Sequence, residues 1–395
     1  MKTDPADHSE PALITAEGRM ETAMEFNIQR STFLEGIQKT LGIVERKTTM
    51  PILNNALIRT ENNRLRIVAS DREIGLVADY DADIVAEGEI TVSARKLSEM
   101  IREIQGDRIH FVTNDNYMVT MTSLKAVYKI PGVPADDYPT VVAEEGMPLA
   151  PVKAEVLKQL IRRISFAISG DDMRKNLNGA FFETGRQGDA FTIRMVATDG
   201  HRLALADADL GMPGFPSLEK GVIIPRKGLG EIRKLLEDEP GDVSLGLQPG
   251  YCVIRTDSTL LKVNLLDADY PDYRRVLPTE PGSVVQFEKD TVLHALRMMN
   301  VISSEKYSGV IITLRDNTMI LNSTNPDVGE ANDEIDVSYQ EAELVVGYNV
   351  SYLIDAIEVI DTERVVFEIG QGMKPGVIKP LGDDHYLCIV MPLKL

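Results

Sequence analysis

Residues 48–79 read TTMPILNNALIRTENNRLRIVASDREIGLVAD. The stretch is a β-rich run, a polar turn at Glu61-Asn62-Asn63, a second run, a small-residue corner at Ala69-Ser70-Asp71, and a third run. The same order returns in KNLNGAFFETGRQGDAFTIRMVATDGHRLALAD, Lys175 to Asp207, and in KYSGVIITLRDNTMILNSTNPDVGEANDEIDV, Lys306 to Val337. The matching corners are Ala197-Thr198-Asp199 and Ser323-Thr324-Asn325, 128 and 126 residues apart by position. A fixed period of this kind marks one module used three times.

The neighbourhood of each strand block repeats too. A helical pattern precedes it at Arg30–Gly42, Val156–Ser169 and Asp290–Ser303. Phe33, Ile37 and Leu41 fall on one stripe, as do Leu157, Leu160, Ile161 and Ile164. A second helical pattern follows at Ala94–Ile104, Lys227–Leu236 and Ser351–Ile360, each reached directly from a β-branched run (ITVSARKL, VIIPRKGL, LVVGYNVSYL). Further strands come after it, such as DRIHFVT, YMVTMTS and AVYKI in the first module. The expected fold class is α+β: three repeated modules, each with two helices packed on antiparallel sheets. Pro-containing boundaries near Met147–Val152 and Leu277–Gly282 give domains at 24–147, 148–278 and 279–395. Residues 1–23 are polar and acidic, lack a secretory signal pattern, and are expected to form a disordered extension.

Composition narrows the function classes. The chain has 395 residues, 43% hydrophobic and 26% charged, which suits a soluble globular protein without a membrane span. Cys252 and Cys388 lie in apolar runs and read as free buried thiols of a cytoplasmic protein. The five histidines form no metal-ligand pattern, and no phosphate loop, dinucleotide fingerprint or GxSxG elbow occurs. No cofactor, metal or catalytic residue is expected. Asp199 and His201 could be read as a carboxylate orienting a general base, but no nucleophile accompanies them and the first module's corner has no histidine. The acidic run Asp327–Asp336 lacks EF-hand spacing and reads as a solvated loop.

The net charge of −19 argues against nucleic-acid binding over the surface as a whole. The basic residues, however, recur on the helices and their approaches: Arg46, Lys47, Arg95, Lys96, Lys158, Arg162, Arg163, Arg226, Lys227, Arg233 and Lys234. Pairing along each helix is the plain account of such residues. Their recurrence in equivalent helices suggests a shared basic surface, which would contact phosphate without reading bases. The C-terminus, Cys388 to Leu395, is apolar almost to its end, so it should pair in a sheet or line a groove.

Seven stretches, TMPILNN, LNGAFFE, VATDGHRLAL, IIPRKG, DYPDYRRVLP, YNVSY and VMPLKL, together resemble the bacterial beta sliding clamp family, the beta subunit of DNA polymerase III, in the family's order. The resemblance runs from about Met24 to Leu395. It implies a non-enzymatic ring, a head-to-tail homodimer of DNA-clamp modules that encircles double-stranded DNA without sequence specificity and gives the replicative polymerase its processivity. The implied partners are the polymerase alpha subunit, the clamp loader delta subunit, and other polymerases and repair proteins carrying short linear motifs, with no membrane. The family's peptide pocket falls on Leu177, Thr198, Gly200, His201, Arg202, Leu203, Pro271, Arg275, Val276, Asn349, Tyr352, Pro375, Ile389, Met391, Pro392 and Leu393. Its DNA contacts fall on Lys47, Lys175, Arg226 and Lys227. Its ring joint falls on Tyr128, Ile130, Val301 and Ile302. The family often has Arg where Lys47 stands and aromatic residues where Lys175 and Asn176 stand, so the bidentate fork and the stacking contact are missing here. A DNA-independent peptide-binding adaptor is the alternative.

Overall fold

The computed structural model describes residues 24–44, 50–141, 146–187, 190–210, 218, 220–237, 239–280, 282–304, 308–370 and 372–394. The expected N-terminal extension and Lys47 lie outside them. The chain divides into two compact units, residues 1–69 with 78–138, and residues 70–77 with 139–395.

In the first unit, helix α1 (Arg30–Thr40) and helix α2 (Ala94–Glu103) pack together beside two sheets. One sheet has the strand order Asp83–Ala86, Glu25–Gln29, Arg108–Thr113, Met118–Ser123, Ala126–Pro131. In the other, Asn55–Glu61 lies between Arg64–Ser70 and Gly88–Ser93. Helix α1 sits close to its sheet because residue 36 is glycine: a Cβ there would lie 2.7 Å from Ile67 Cδ1 and 2.8 Å from Tyr80 Cε2. The rings of Phe26, Phe33 and Phe111 form the core, one pair stacked at 4.7 Å and two edge-on at 5.9 and 6.0 Å. Such pairs add about 0.5–1.5 kcal/mol each beyond the area they bury.

The second unit holds helices α3 (Ala154–Ile164), α4 (Arg226–Glu237), α5 (Lys289–Val301) and α6 (Val350–Glu358). Its central sheet has eight strands, in the order Val222–Pro225, Gly179–Gln187, Ala190–Thr198, Arg202–Asp209, Tyr386–Val390, Gly376–Pro380, Arg364–Ile369, Ser283–Glu288. The join between its two halves is the pairing of Arg202–Asp209 with Tyr386–Val390, with Leu203 opposite Ile389. A separate four-stranded sheet runs Gly329–Asp336, Thr318–Asn325, Gly309–Arg315, Leu344–Asn349.

The repeated corners have a common cause. Asp71 Oδ1 accepts from the amides of Glu73 (2.9 Å) and Ile74 (2.6 Å), and Asp199 Oδ1 accepts from those of His201 (2.9 Å) and Arg202 (3.0 Å). Asn325 Oδ1 accepts from Asp327 N at 3.1 Å. A short side-chain carbonyl closing an Asx turn is what the period preserves. The residues before α1, α2, α3 and α5 make no side-chain cap, whereas before α6 Asn349 Oδ1 accepts from Ser351 N and Tyr352 N.

One expectation is corrected. The run Asp327–Asp336 is a loop only at its start. Gly329–Asp336 is a strand paired with Thr318–Asn325 along its whole length. Ile335 is buried and the acidic side chains are largely turned outward, the charged character expected of a sheet edge. Cys252 and Cys388 are buried free thiols, each pushed up to about 12 by burial. No helix among the described residues is long and apolar enough to cross a membrane.

Candidate docking cleft and basic surface

The second unit gathers most of the residues expected to form a peptide pocket. Strand pairing sets Leu203 against Ile389, and the next bond outward, Met391 N to His201 O at 3.0 Å, extends the chain past the strand end. Leu393 N donates to Gly347 O at 2.8 Å, which seats the C-terminal segment on the four-stranded sheet. Thr198 Oγ1 accepts from Gly200 N and donates to Arg202 O, and Gly200 takes φ +90°, a conformation that favours glycine.

Arg202 is the hub. Its guanidinium donates to Asp199 Oδ2 (3.1 Å), Asp355 Oδ2 (2.6 Å) and Phe166 O, and lies over the rings of Phe166 (5.0 Å) and Tyr352 (4.4 Å). His201 stacks on Tyr352 with centroids 6.4 Å apart. The Tyr352 phenol is raised by burial, then by the nearby Asp199 carboxylate, so it stays protonated. Asp199 therefore serves backbone amides and Arg202, not the His201 imidazole. The general-base reading has no geometry to support it.

The floor is apolar and closed. Leu203 and Ile389 are buried in a cluster with Val196, Leu205, Tyr273 and Val377, against which Phe181, Tyr270, Leu277 and Leu387 pack. A cavity of about 350 Å³ borders the same cluster, lined in part by Leu277, Val377 and Leu387. Three apolar side chains on the segments that flank this cluster are open to solvent: Val276, Met391 and Leu393 are 48%, 42% and 40% exposed. Arg275 and Val276 belong to a 3-10 turn, Tyr273–Val276, which Tyr273 anchors in the cluster. Pro392 and Leu177 are buried, and Leu177 packs beneath the loop through Ser169 N to Leu177 O. Pro375 stands next to the Gly376–Val390 pairing. No described contact joins Leu177, Pro271 or Pro375 directly to the Arg202 hub.

Tyr273, Tyr270, Phe166 and Asp355 were not expected in the site. Tyr270 and Tyr273 lie inside the quoted DYPDYRRVLP, and two aromatic residues in an otherwise polar linker are the signal that could have found them. Phe166 and Asp355 meet Arg202 only through tertiary contact and left no local trace.

The basic residues divide. Lys96, Lys158 and Lys234 pair with Glu99, Glu155 and Glu231 on their own helices, as the plain account of such residues has it. Arg163 is not a surface charge: it is buried, bonded to Asp383 at 3.0 Å. Arg162 is tied to Asp361. Lys227 forms an ion pair with the buried Asp71, which offsets its charge. Lys175 and Arg226 have no ion-pair partner among the described residues. The bond from Arg226 N to Asn178 O (3.1 Å) brings the Lys175–Leu177 turn beside the start of α4.

Of the expected ring-joint residues, Val301 is 80% exposed at the end of α5. Ile302 is half-buried, and its carbonyl accepts from Asn325 Nδ2. Tyr128 and Ile130 lie on Ala126–Pro131, the outermost strand of its sheet. Ile130 points into its own core, so it can offer only main chain at that edge.

A threefold α+β repeat with an apolar cluster at a sheet junction defines the class of proteins built from repeated clamp-like modules. The chain belongs to the DNA polymerase III beta subunit family, the beta sliding clamps, which act as processivity factors in DNA replication. Models of that subunit's N-terminal, central and C-terminal domains match residues 24–142, 151–272 and 274–394. The beta sliding clamp of Pseudomonas putida is 34% identical over 373 residues, covering 94% of this chain and all of the relative. That of Vibrio cholerae is 31% identical over 375 residues with the same coverage. The crystal structure of the Pseudomonas aeruginosa subunit superposes with a TM-score of 0.87 at 33% identity, over 94% of this chain and all of that one. A second crystal structure, of the P. aeruginosa clamp bound to griselimycin, has a TM-score of 0.86 at 33% identity, over 95% of this chain and all of that one.

Proposed function

We propose that two copies of this chain, each of three domains at 24–147, 148–278 and 279–395, close head to tail around duplex DNA in the bacterial cytoplasm. The ring slides because its contacts are to phosphate, through Lys175, Arg226, Lys227 and Lys47, and carry no sequence preference. The edge strands support a heterologous joint. Ala126–Pro131 carries Lys129 beside Lys125, whereas Gly329–Asp336 carries Glu330, Asp333, Glu334 and Asp336. Unlike edges attract and like edges repel, which favours head-to-tail closure.

The cleft around Arg202 takes short linear segments of the polymerase alpha subunit, the clamp loader delta subunit, and other polymerases and repair proteins. The reading rests on three exposed apolar side chains, Val276, Met391 and Leu393, on segments that flank a buried apolar cluster. Burying one leucine or phenylalanine of a docked segment contributes roughly 1.5–3 kcal/mol, a scale that suits partners that exchange. Griselimycin is proposed to occupy the same cleft.

The test is retention on nicked circular DNA after loading by a clamp loader, followed by linearisation. Loss from linear ends but not from circles supports enclosure. Persistence after linearisation means a direct grip and ends the sliding reading. Failure to load with a competent loader, together with intact peptide binding, favours the DNA-independent adaptor.

A further inference from the structure

Tyr273 is the one buried residue of the turn Tyr273–Val276, and the turn's other end carries the exposed Val276. Its ring is 3% exposed, packed with Leu203 and Ile389 of the cleft floor. Its hydroxyl is held separately. It donates to Glu183 Oε1, while Glu183 Oε2 accepts from Arg274 Nη2 at 2.7 Å. On the other side Arg194 Nη1 lies 3.5 Å from the hydroxyl oxygen. Arg194 is fixed by Asp207 Oδ2 at 2.6 Å through Nη2 and 3.2 Å through Nε. Asp207 Oδ1 in turn lies 2.9 Å from His385 Nδ1. The linker is thus bolted to strands Gly179–Gln187, Ala190–Thr198 and Arg202–Asp209, and through His385 to the segment leading into Tyr386–Val390.

We propose that Tyr273 is a positioning residue for the docking cleft: its hydroxyl, clamped between Glu183 and Arg194, sets the turn so that Val276 stands at the right height over the floor at Leu203 and Ile389. This rests on the docking reading above. The aromatic ring alone would keep the linker on the sheet. The hydroxyl adds direction, because a ring in an apolar cluster can rotate and slide, whereas a hydrogen bond between two fixed charged groups cannot without breaking. The burial that raises the phenol's pKa keeps the proton on the oxygen, so the donor role towards Glu183 is constant over the working range.

The experiment is calorimetric binding of griselimycin to the full chain and to four variants. Tyr273→Phe should weaken binding about three- to tenfold while the melting temperature changes little, since the ring stays in the cluster. Val276→Ala should weaken binding on its own. If the hydroxyl acts through Val276, the double variant binds no more weakly than Val276→Ala alone. Glu183→Ala removes the acceptor from the opposite strand with the tyrosine intact, and should reproduce the Tyr273→Phe loss should that variant fold poorly. Wild-type affinity in Tyr273→Phe or in Glu183→Ala, or losses that multiply in the double variant, overturns the proposal. No binding by the unaltered chain overturns the docking reading itself, and that outcome is distinguished because it appears before any variant is compared.

Discussion

Arg202 concentrates several roles in one side chain. It neutralises two carboxylates, donates to a main-chain carbonyl and supports two aromatic faces, and only the planar fork of a guanidinium can do all of this from one stem. Truncation would leave Asp199 and Asp355 facing each other without a cation. Because Asp355 is partly exposed and screened, Arg202→Ala is expected to cost about 2–3 kcal/mol of unfolding free energy, less than a fully buried pair. Arg202→Lys should keep part of that stability and lose most of the affinity proposed for griselimycin, because the Tyr352 face loses its flat support. Urea titration and calorimetry on the two variants check both statements. Unchanged stability and affinity in Arg202→Lys would mean that charge alone matters.

Elements show where sequence is a sufficient guide and where it is not. The corner turns were legible because an Asx turn is built within four residues, and Asp71, Asp199 and Asn325 advertise it locally. Helix α1 was legible from its stripe of Phe33 and Ile37, and Gly36 explains its closeness to the sheet. Gly36→Ala gains about 1 kcal/mol of helix propensity but drives a methyl into Ile67 and Tyr80, so a net loss of about 1–2 kcal/mol is expected in chemical denaturation. By contrast, the burial of Arg163 under Asp383, the pairing of Lys227 with Asp71 and the clamp on Tyr273 join residues distant in sequence. Nothing within a helix or turn announces them. A basic residue on a helix looks the same in sequence whether its partner is a phosphate or a distant aspartate. The His385–Asp207 contact gives this joint a pH dependence. The carboxylate holds the imidazole above its ordinary pKa against the opposing effect of burial. Its stabilisation is therefore complete below about pH 6.5, the unfolded value, and is lost as pH rises through the higher folded value. His385→Gln should lower the melting temperature at about pH 6 and leave it unchanged at about pH 9. A uniform drop across that range would assign the loss to packing.

At the scale of the whole molecule, the net charge of −19 and a role around DNA are compatible only if the interaction is local and weak. Equilibrium binding of the unloaded chain to a short linear duplex should weaken as salt rises and be indifferent to base sequence. Arg226→Ala should lower the salt slope by about one unit, the signature of one lost phosphate contact. An unchanged slope would remove Arg226 from the DNA surface. The central sheet carries a consequence of another kind. The strands Arg202–Asp209 and Tyr386–Val390 are adjacent in it, and Arg163 and Arg202 reach across the same seam to Asp383 and Asp355. Residues 139–395 therefore lack a weak plane along which heat could separate the second module from the third. Scanning calorimetry should find that unit absorbing heat in a single cooperative transition, with calorimetric and van't Hoff enthalpies equal for it.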